Sequence, residues 1–312
     1  MWSRKNRINF FILTVLLGVA TIYAQEDVIR VDTNLVSIPV TVLDRDGRYI
    51  TNLKKEDFQI FEDGVEQEIT LFEAVEEPFT IYFLLDVSGS MSNEMENLTN
   101  AANVFVKELR PDDKLIAATF AENTKILFQS TKIKELKKDI TLSRHYGIHT
   151  TLLYDAVDSA IKKIKKIKGR KAIVLFSDGA GTGTYATGKS NLRDAEESEA
   201  LIYTVQFETF SEVPPAYVNK ESYQKRVKEI NDYMHDLADI SGGRSYQIKN
   251  LSNLAETFGN IANELGRQYS LGYYPKQLEK GQKKQIRQLK VKVNQPNLAV
   301  RARSSYIIQS SK

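Results

Sequence analysis

At 312 residues, with 42% apolar and 27% charged residues, the chain has room for one good-sized globular domain and a smaller one. Its formal net charge of +3 is small for that length, so charge alone points to neither nucleic acid nor a membrane surface. The lack of cysteine excludes disulfides, thiol catalysis, thiolate metal sites and a lipidated N-terminal Cys.

In chain order, residues 1–24 read as a targeting segment. Three basic residues fall between Trp2 and Arg7, and an apolar run from Ile8 to Ala24 ends in ATIYA before Gln25. That is the charged, hydrophobic, small-residue order of a signal peptide. Cleavage would leave an extracytoplasmic chain, periplasmic or secreted. Retention of the 17-residue run, at the short end of what a spanning helix needs, would anchor the chain in the inner membrane with its body on the same outer side.

From Val28 to Glu77 the apolar period is two, and Asp46-Gly47 and Asp63-Gly64 each sit between β-rich runs as hairpin signals. This makes residues 25–77 an all-β region. An EF-hand reading of Asp44, Asp46 and Gly47 fails, because the remaining acidic positions and the distal Glu are missing.

Phe79 to Leu85 is uncharged and rich in aromatic and β-branched types, as expected of a strand buried on both faces of a parallel sheet. It ends at Asp86, followed by a turn carrying Ser88, Gly89, Ser90 and Ser92. Downstream the pattern alternates. Helices are expected at Asn97–Leu109, Lys132–Ile140, Leu153–Ile167, about Tyr223–Ile240 and about Leu251–Leu265. The strands between them are KLIAATF, KILFQS, AIVLFSD, ALIYTVQF and SYQI, with a polar glycine-rich loop after AIVLFSD. The expected fold is α/β, a doubly wound and mainly parallel sheet. Ligands of such sheets gather at the carboxyl ends of the strands, where Asp86 and its serines stand. A carboxylate and two hydroxyls at alternating positions offer the oxygen that hard divalent cations prefer. HTTLLYDAV, and Asp178 followed by Gly179, lie at comparable element boundaries.

The run D-x-S-x-S from Asp86 to Ser90, the Leu153-Tyr154-Asp155-Ala156 helix start preceded by Thr150 and Thr151, and the apolar strand ending in Asp178-Gly179 together resemble the von Willebrand factor type A family and its metal-ion-dependent adhesion site (MIDAS). The flanks, L-x-x-E-D-F-x-x-x-E-D-G from Leu53 to Gly64 and RQYSLGYYP with the basic β segment after it, are similar to a bacterial secreted branch of that family. The resemblance implies a domain over 78–267 between an N-terminal β region (25–77) and a C-terminal β region (268–312), and because the termini of a doubly wound domain can emerge near each other the two β regions are expected to pack together. It implies a site in which Ser88, Ser90 and Thr151 are direct ligands and Asp86 and Asp178 act directly or through water. By spacing Thr151 matches the family's threonine, while Thr150 beside it stays open because Ile148-His149-Thr150 stands where small glycines are usual. The cation is expected to be Mg2+, with Mn2+ or Ca2+ as alternatives, and an Asp or Glu of a protein partner completes its coordination. The expected function is therefore an extracytoplasmic, adhesion-type binding module and not an enzyme, with no catalytic or organic-cofactor residues and no nucleic-acid partner. A membrane is involved only if the N-terminal segment is retained.

Rival classes fit less well. An aspartyl phosphotransferase wants a second Asp where Ser88 stands. A dinucleotide fingerprint on Gly179, Gly181 and Gly183 would need its third glycine at Thr184. A serine hydrolase lacks G-x-S-x-G, and His145, His149 and His235 show no triad context. The lysine-rich runs KIKELKK and AIKKIKKIKGRK read as solvated helix faces. The remaining competitor is a structural scaffold of an envelope assembly whose metal site is incidental.

Overall fold

The computed structural model describes residues 35–73, 78–143, 150–209, 219–276, 278 and 284–309. Residues 1–24, where a targeting segment is expected, and His145 and His149 lie outside the described residues. The centre is a six-stranded sheet of β5 (Thr80–Asp86), β6 (Lys114–Phe120), β7 (Thr124–Lys132), β8 (Lys171–Ser177), β9 (Leu201–Phe207) and β10 (Arg244–Ile248). The strand order is β10-β9-β8-β5-β6-β7, and every pairing is parallel except that of the edge strand β7. Both β5 and β8 are buried along their whole length, which is why their sequences are apolar runs rather than alternating ones.

Helices α1 (Met95–Glu108), α2 (Leu153–Lys165), α3 (Gly188–Glu196), α4 (Lys220–Ser241) and α5 (Leu254–Leu265) cover the two faces. Successive side chains of β5 point to opposite sides. Phe83 meets Phe105 of α1 and Phe258 of α5, with ring centroids 4.6 and 5.1 Å away. Tyr82 and Leu84 face the other core, built with Ile161 of α2 and Leu237 of α4. The chain leaves β5 for β6 on one side and later enters β8 on the other. The point where the winding reverses thus falls between β5 and β8.

The flanking β region forms two antiparallel sheets that mix strands from both ends of the chain. One has the order β13-β1-β11-β4, from β1 (Val36–Leu43), β4 (Leu71–Glu73), β11 (Tyr269–Tyr273) and β13 (Ala299–Arg301). The other has the order β14-β12-β2-β3, from β2 (Phe58–Glu62), β3 (Val65–Gln67), β12 (Lys284–Val293) and β14 (Ser305–Gln309). Ile38, Ile60 and Tyr269 lie in their shared core. Residues 34–312 form one compact unit with the central sheet. The join is polar as well as apolar: Gln268 donates to Thr41 Oγ1 at 3.0 Å and to the Tyr203 hydroxyl at 2.9 Å, and Arg170 donates to the Gln268 carbonyl at 2.8 Å.

Four local expectations change. The helix expected at Lys132–Ile140 is only a 3-10 turn, Ile133–Glu135. Strand β7 continues to Lys132, the N–H groups of Ile133 and Lys134 bond back to Asp113 and Pro111, and the Asn103 side chain holds both backbone groups of Ile140. These partners fix both ends of the segment outside a helical path. The Asp63-Gly64 hairpin forms, with φ of 48° and 83°, the left-handed pair that a tight hairpin turn needs. Asp46-Gly47 makes a turn without a second strand: the return is a single bridge, Leu43 to Tyr49, because β1 is already paired with β11 and β13. After Asp86 the chain makes a 3-10 segment, Gly89–Glu94, before α1 begins. Finally, the loop after AIVLFSD contains α3, capped by Thr187, which accepts from Ser190 N–H.

Candidate metal centre

The carboxyl ends of β5 and β8 are neighbours, Leu85 lying beside Phe176 in the ladder. Asp86 and the Ser177-Asp178 pair therefore emerge together where the winding reverses, the place an open α/β sheet offers a ligand. Asp86 is fully buried. One of its oxygens accepts from the Ser88 N–H at 2.9 Å and the other from the Ser177 hydroxyl at 2.6 Å. Ser177 in turn accepts from the Gly179 N–H at 2.9 Å, tying the two strand ends together. The hydroxyls of Ser88 and Ser90 are 3.1 Å apart.

Asp178 is also buried; its Oδ1 accepts from the Ala180 N–H at 2.9 Å and its Oδ2 from the Thr209 hydroxyl at 3.2 Å. The threonine segment arrives from the far side of β5. Leu152 N–H bonds to the Ala121 carbonyl just past β6, and the Thr151 carbonyl accepts from Thr182 N–H, both at 2.8 Å. Ser90, Thr150, Thr151 and Asp178 consequently line one cleft of about 580 Å3. The structure brings the predicted residues to one place, four along its wall or floor and Asp86 and Ser88 immediately behind.

Close packing of the second and third segments depends on Gly181. A Cβ there would lie 2.3 Å from the Leu153 Cβ, so the loop could not seat against the start of α2 with any larger residue. The glycines that superficially suggest a nucleotide loop thus have a packing role. Asp155 holds the same loop from the helix side. Its carboxylate accepts from the N–H groups of Thr184, Tyr185 and Ala186. Burial pushes the group up, but these bonds outweigh it and hold the carboxyl below its usual range.

Asp86 is perturbed the other way. Burial first, and then the charge of Asp178, push it up to about 7 against the bonds from Ser177 and Ser88. No Lys, Arg or His pairs with it among the described residues. A buried carboxylate beside a second one, with hydroxyls converging and no counter-charge, fits an oxygen-only site for a hard divalent cation. No cluster of three or more His, Cys, Asp or Glu exists among the described residues, so the donor set is two carboxylates with hydroxyls. Ser88, Ser90 and Thr151, with Asp86 and Asp178, are the residues that would hold the ion.

Sequence reasoning missed Ser177, Thr209 and Arg226, and gave Asp155 a place in the helix-start motif but no role. Ser177 carried a faint signal, a hydroxyl one place before a strand-terminal Asp. Thr209 and Arg226 carried none, since only the crossing of β9 and α4 brings them to the cleft. Ser177→Ala is expected to lower Mg2+ affinity about tenfold in calorimetry, because it frees one oxygen of Asp86 from its orienting bond. Unchanged affinity would assign Ser177 to folding alone.

The structure is a doubly wound α/β domain with acidic and hydroxyl side chains gathered at its switch point. The profile of the von Willebrand factor type A domain matches residues 81–180. Over that stretch the chain is similar to von Willebrand factor type A domains. A UPF0353 protein of Mycobacterium avium is 26% identical over 208 residues, covering 60% of this chain and 60% of that protein. The chain thus spans about 60% of the length of this curated relative. Among solved structures, the ArnB paralog VWA2 from Sulfolobus acidocaldarius aligns with a TM-score of 0.44 and 16% identity, over 89% of this chain and 76% of that one. Proximal thread matrix protein 1 of the mussel byssus, solved with a zinc-occupied MIDAS motif, aligns with a TM-score of 0.45 and 13% identity, over 65% of this chain and 49% of that one.

Proposed function

We propose that this chain is an extracytoplasmic binding module, not an enzyme, that takes a carboxylate of a protein partner at a divalent cation held by Asp86, Ser88, Ser90, Thr151 and Asp178. The observation that carries the reading is Asp86: fully buried, adjacent to Asp178 and without a cationic partner among the described residues. A bound Mg2+, the first choice over Mn2+ and Ca2+, would supply a coordination position open to an outside oxygen. Asp86 and Asp178 together balance its charge, so an incoming Asp or Glu does not meet an anionic pocket. Ser177 fixes the orientation of Asp86, and the Asp155-held loop keeps the Thr151 segment against the strand ends. Export of the chain rests on residues 1–24, either cleaved or kept as an anchor; no described helix is long and apolar enough to cross a membrane. Residues 78–267 are proposed as the binding domain, and 25–77 with 268–312 as its β support.

Metal uptake must displace the proton that Asp86 holds below about pH 7. Mg2+ affinity is expected to rise roughly tenfold per pH unit from pH 5 to pH 7 and then level off. Calorimetry across that range checks it, and a flat profile would remove Asp86 from the site. In the same protein, partner capture from an envelope extract is expected to be lost on adding a chelator. Capture that survives the chelator would favour the scaffold role.

A further inference from the structure

Arg226, in the second turn of α4, lines the cleft that holds Ser90, Thr150, Thr151 and Asp178. It is exposed and makes no hydrogen bond or ion pair among the described residues. The acid across the cleft does not engage it: Asp178 accepts from Ala180 N–H and the Thr209 hydroxyl and makes no ion pair with Arg226. On its own helix, Glu229 reaches Lys225 instead. Tyr154, which feels the charge of both Arg226 and Glu229, stays neutral because burial, the largest influence, raises its hydroxyl above the usual range.

The charge balance of the cleft makes this arginine informative. With a divalent cation in place, Asp86 and Asp178 neutralise the ion and Arg226 is left over, so the loaded cleft is net positive among its described residues. A partner bringing one carboxylate to the ion would leave that surplus unmatched. A guanidinium also presents a planar fork of donors suited to both oxygens of a carboxylate. The cleft, at about 580 Å3, is of ligand-pocket size and holds more than one acidic side chain.

We propose that the partner's anchoring segment is doubly acidic, one carboxylate going to the cation position beside Ser88, Ser90 and Thr151 and a second, a few residues away, to Arg226. This rests on the carboxylate reading above and adds the class of peptide that the site selects. Other anions could answer Arg226 alone, but only a second carboxylate on the same segment makes cation and arginine act together.

The test uses the full chain with Mg2+ and two capped synthetic peptides, one with a single Glu among glycines and one with two Glu separated by a glycine. The doubly acidic peptide is expected to bind about tenfold tighter, beyond the twofold statistical advantage of a second acid. Arg226→Ala should remove most of that preference without weakening Mg2+ binding, since a nearby positive charge is taken away, and Arg226→Lys should restore part of it. Equal affinity for the two peptides, or a preference that survives Arg226→Ala, overturns the role of Arg226 while leaving the metal site standing. Failure of both peptides to bind in Mg2+, or Mg2+ binding undiminished in Asp86→Ala, would instead overturn the carboxylate reading and this inference with it.

Discussion

Asp86→Asn is expected to make the metal-free protein more stable at pH 8 while abolishing its Mg2+ binding. The opposite signs follow from one cause. The folded-state value of about 7 lies above the roughly 3.9 of an exposed aspartate. A raised value means the stabilising contribution is complete only below about pH 4 and is lost as pH rises through 7. At pH 8 the ionised carboxylate is therefore a liability of the empty site, on the order of 2–4 kcal/mol. Asparagine drops the charge, its oxygen can keep the bond from the Ser88 N–H, and its amide N–H can donate to the Ser177 hydroxyl oxygen, which can accept as well as donate. Urea unfolding in chelator should place the midpoint of Asp86→Asn above wild type at pH 8 and close to it at pH 4. Magnesium should reverse the order at pH 8, because only wild type gains stability from the ion. A variant less stable than wild type in chelator at pH 8 would contradict the uncompensated charge on which the site rests.

The second large effect lies away from the cleft, at Glu264→Ala. Glu264 ends α5 fully buried, accepting from the Tyr203 hydroxyl at 2.6 Å and from Arg301 of β13, with the Tyr49 hydroxyl at 3.4 Å. Removing it strands the Arg301 guanidinium in a mostly buried position, where breaking one half of such a pair costs about 3–5 kcal/mol. Replacing both partners by apolar residues, Glu264→Met with Arg301→Met, should recover much of the loss, since no charge is then left unpaired. Denaturant unfolding of the three proteins checks this. A single variant within 1 kcal/mol of wild type would mean that the network is decorative. Because Arg301 lies outside 78–267, a fragment with those bounds would lose the same partner and should fold less stably than the whole chain.

Much of the fold was legible because its signals are local. Short apolar runs between turn signals read as strands, and β5 (Thr80–Asp86), β8 (Lys171–Ser177) and β9 (Leu201–Phe207) lie within a residue or so of the runs Phe79–Leu85, AIVLFSD and ALIYTVQF. The lysines of α2 read correctly as a solvated face, Lys162 pairing with Asp158 and Lys165 with Glu197. The failed helix at Lys132–Ile140 had good local propensity. It lost to bonds from Asn103, Pro111 and Asp113, partners that no window on the segment itself contains. Helix α3 was missed because its cap, Thr187 with Ser190, sits in a stretch whose glycines dominate the reading.

The sequence by itself supplied the local chemistry: oxygen donors at Asp86, Ser88 and Ser90 after one apolar strand and at Asp178 after another, because the strand pattern and the turn residues are written locally, while Thr151 stood out only through the resemblance to the von Willebrand factor type A pattern. Tertiary structure decided what those donors face. It buried Asp86 completely, put Asp178 beside it, hung both strand ends on Ser177, and brought Arg226 from a helix about fifty residues past Asp178 to the same cleft. Burial, charge proximity and the placing of an arginine at the cleft are properties of distances between remote segments, and only packing sets those distances.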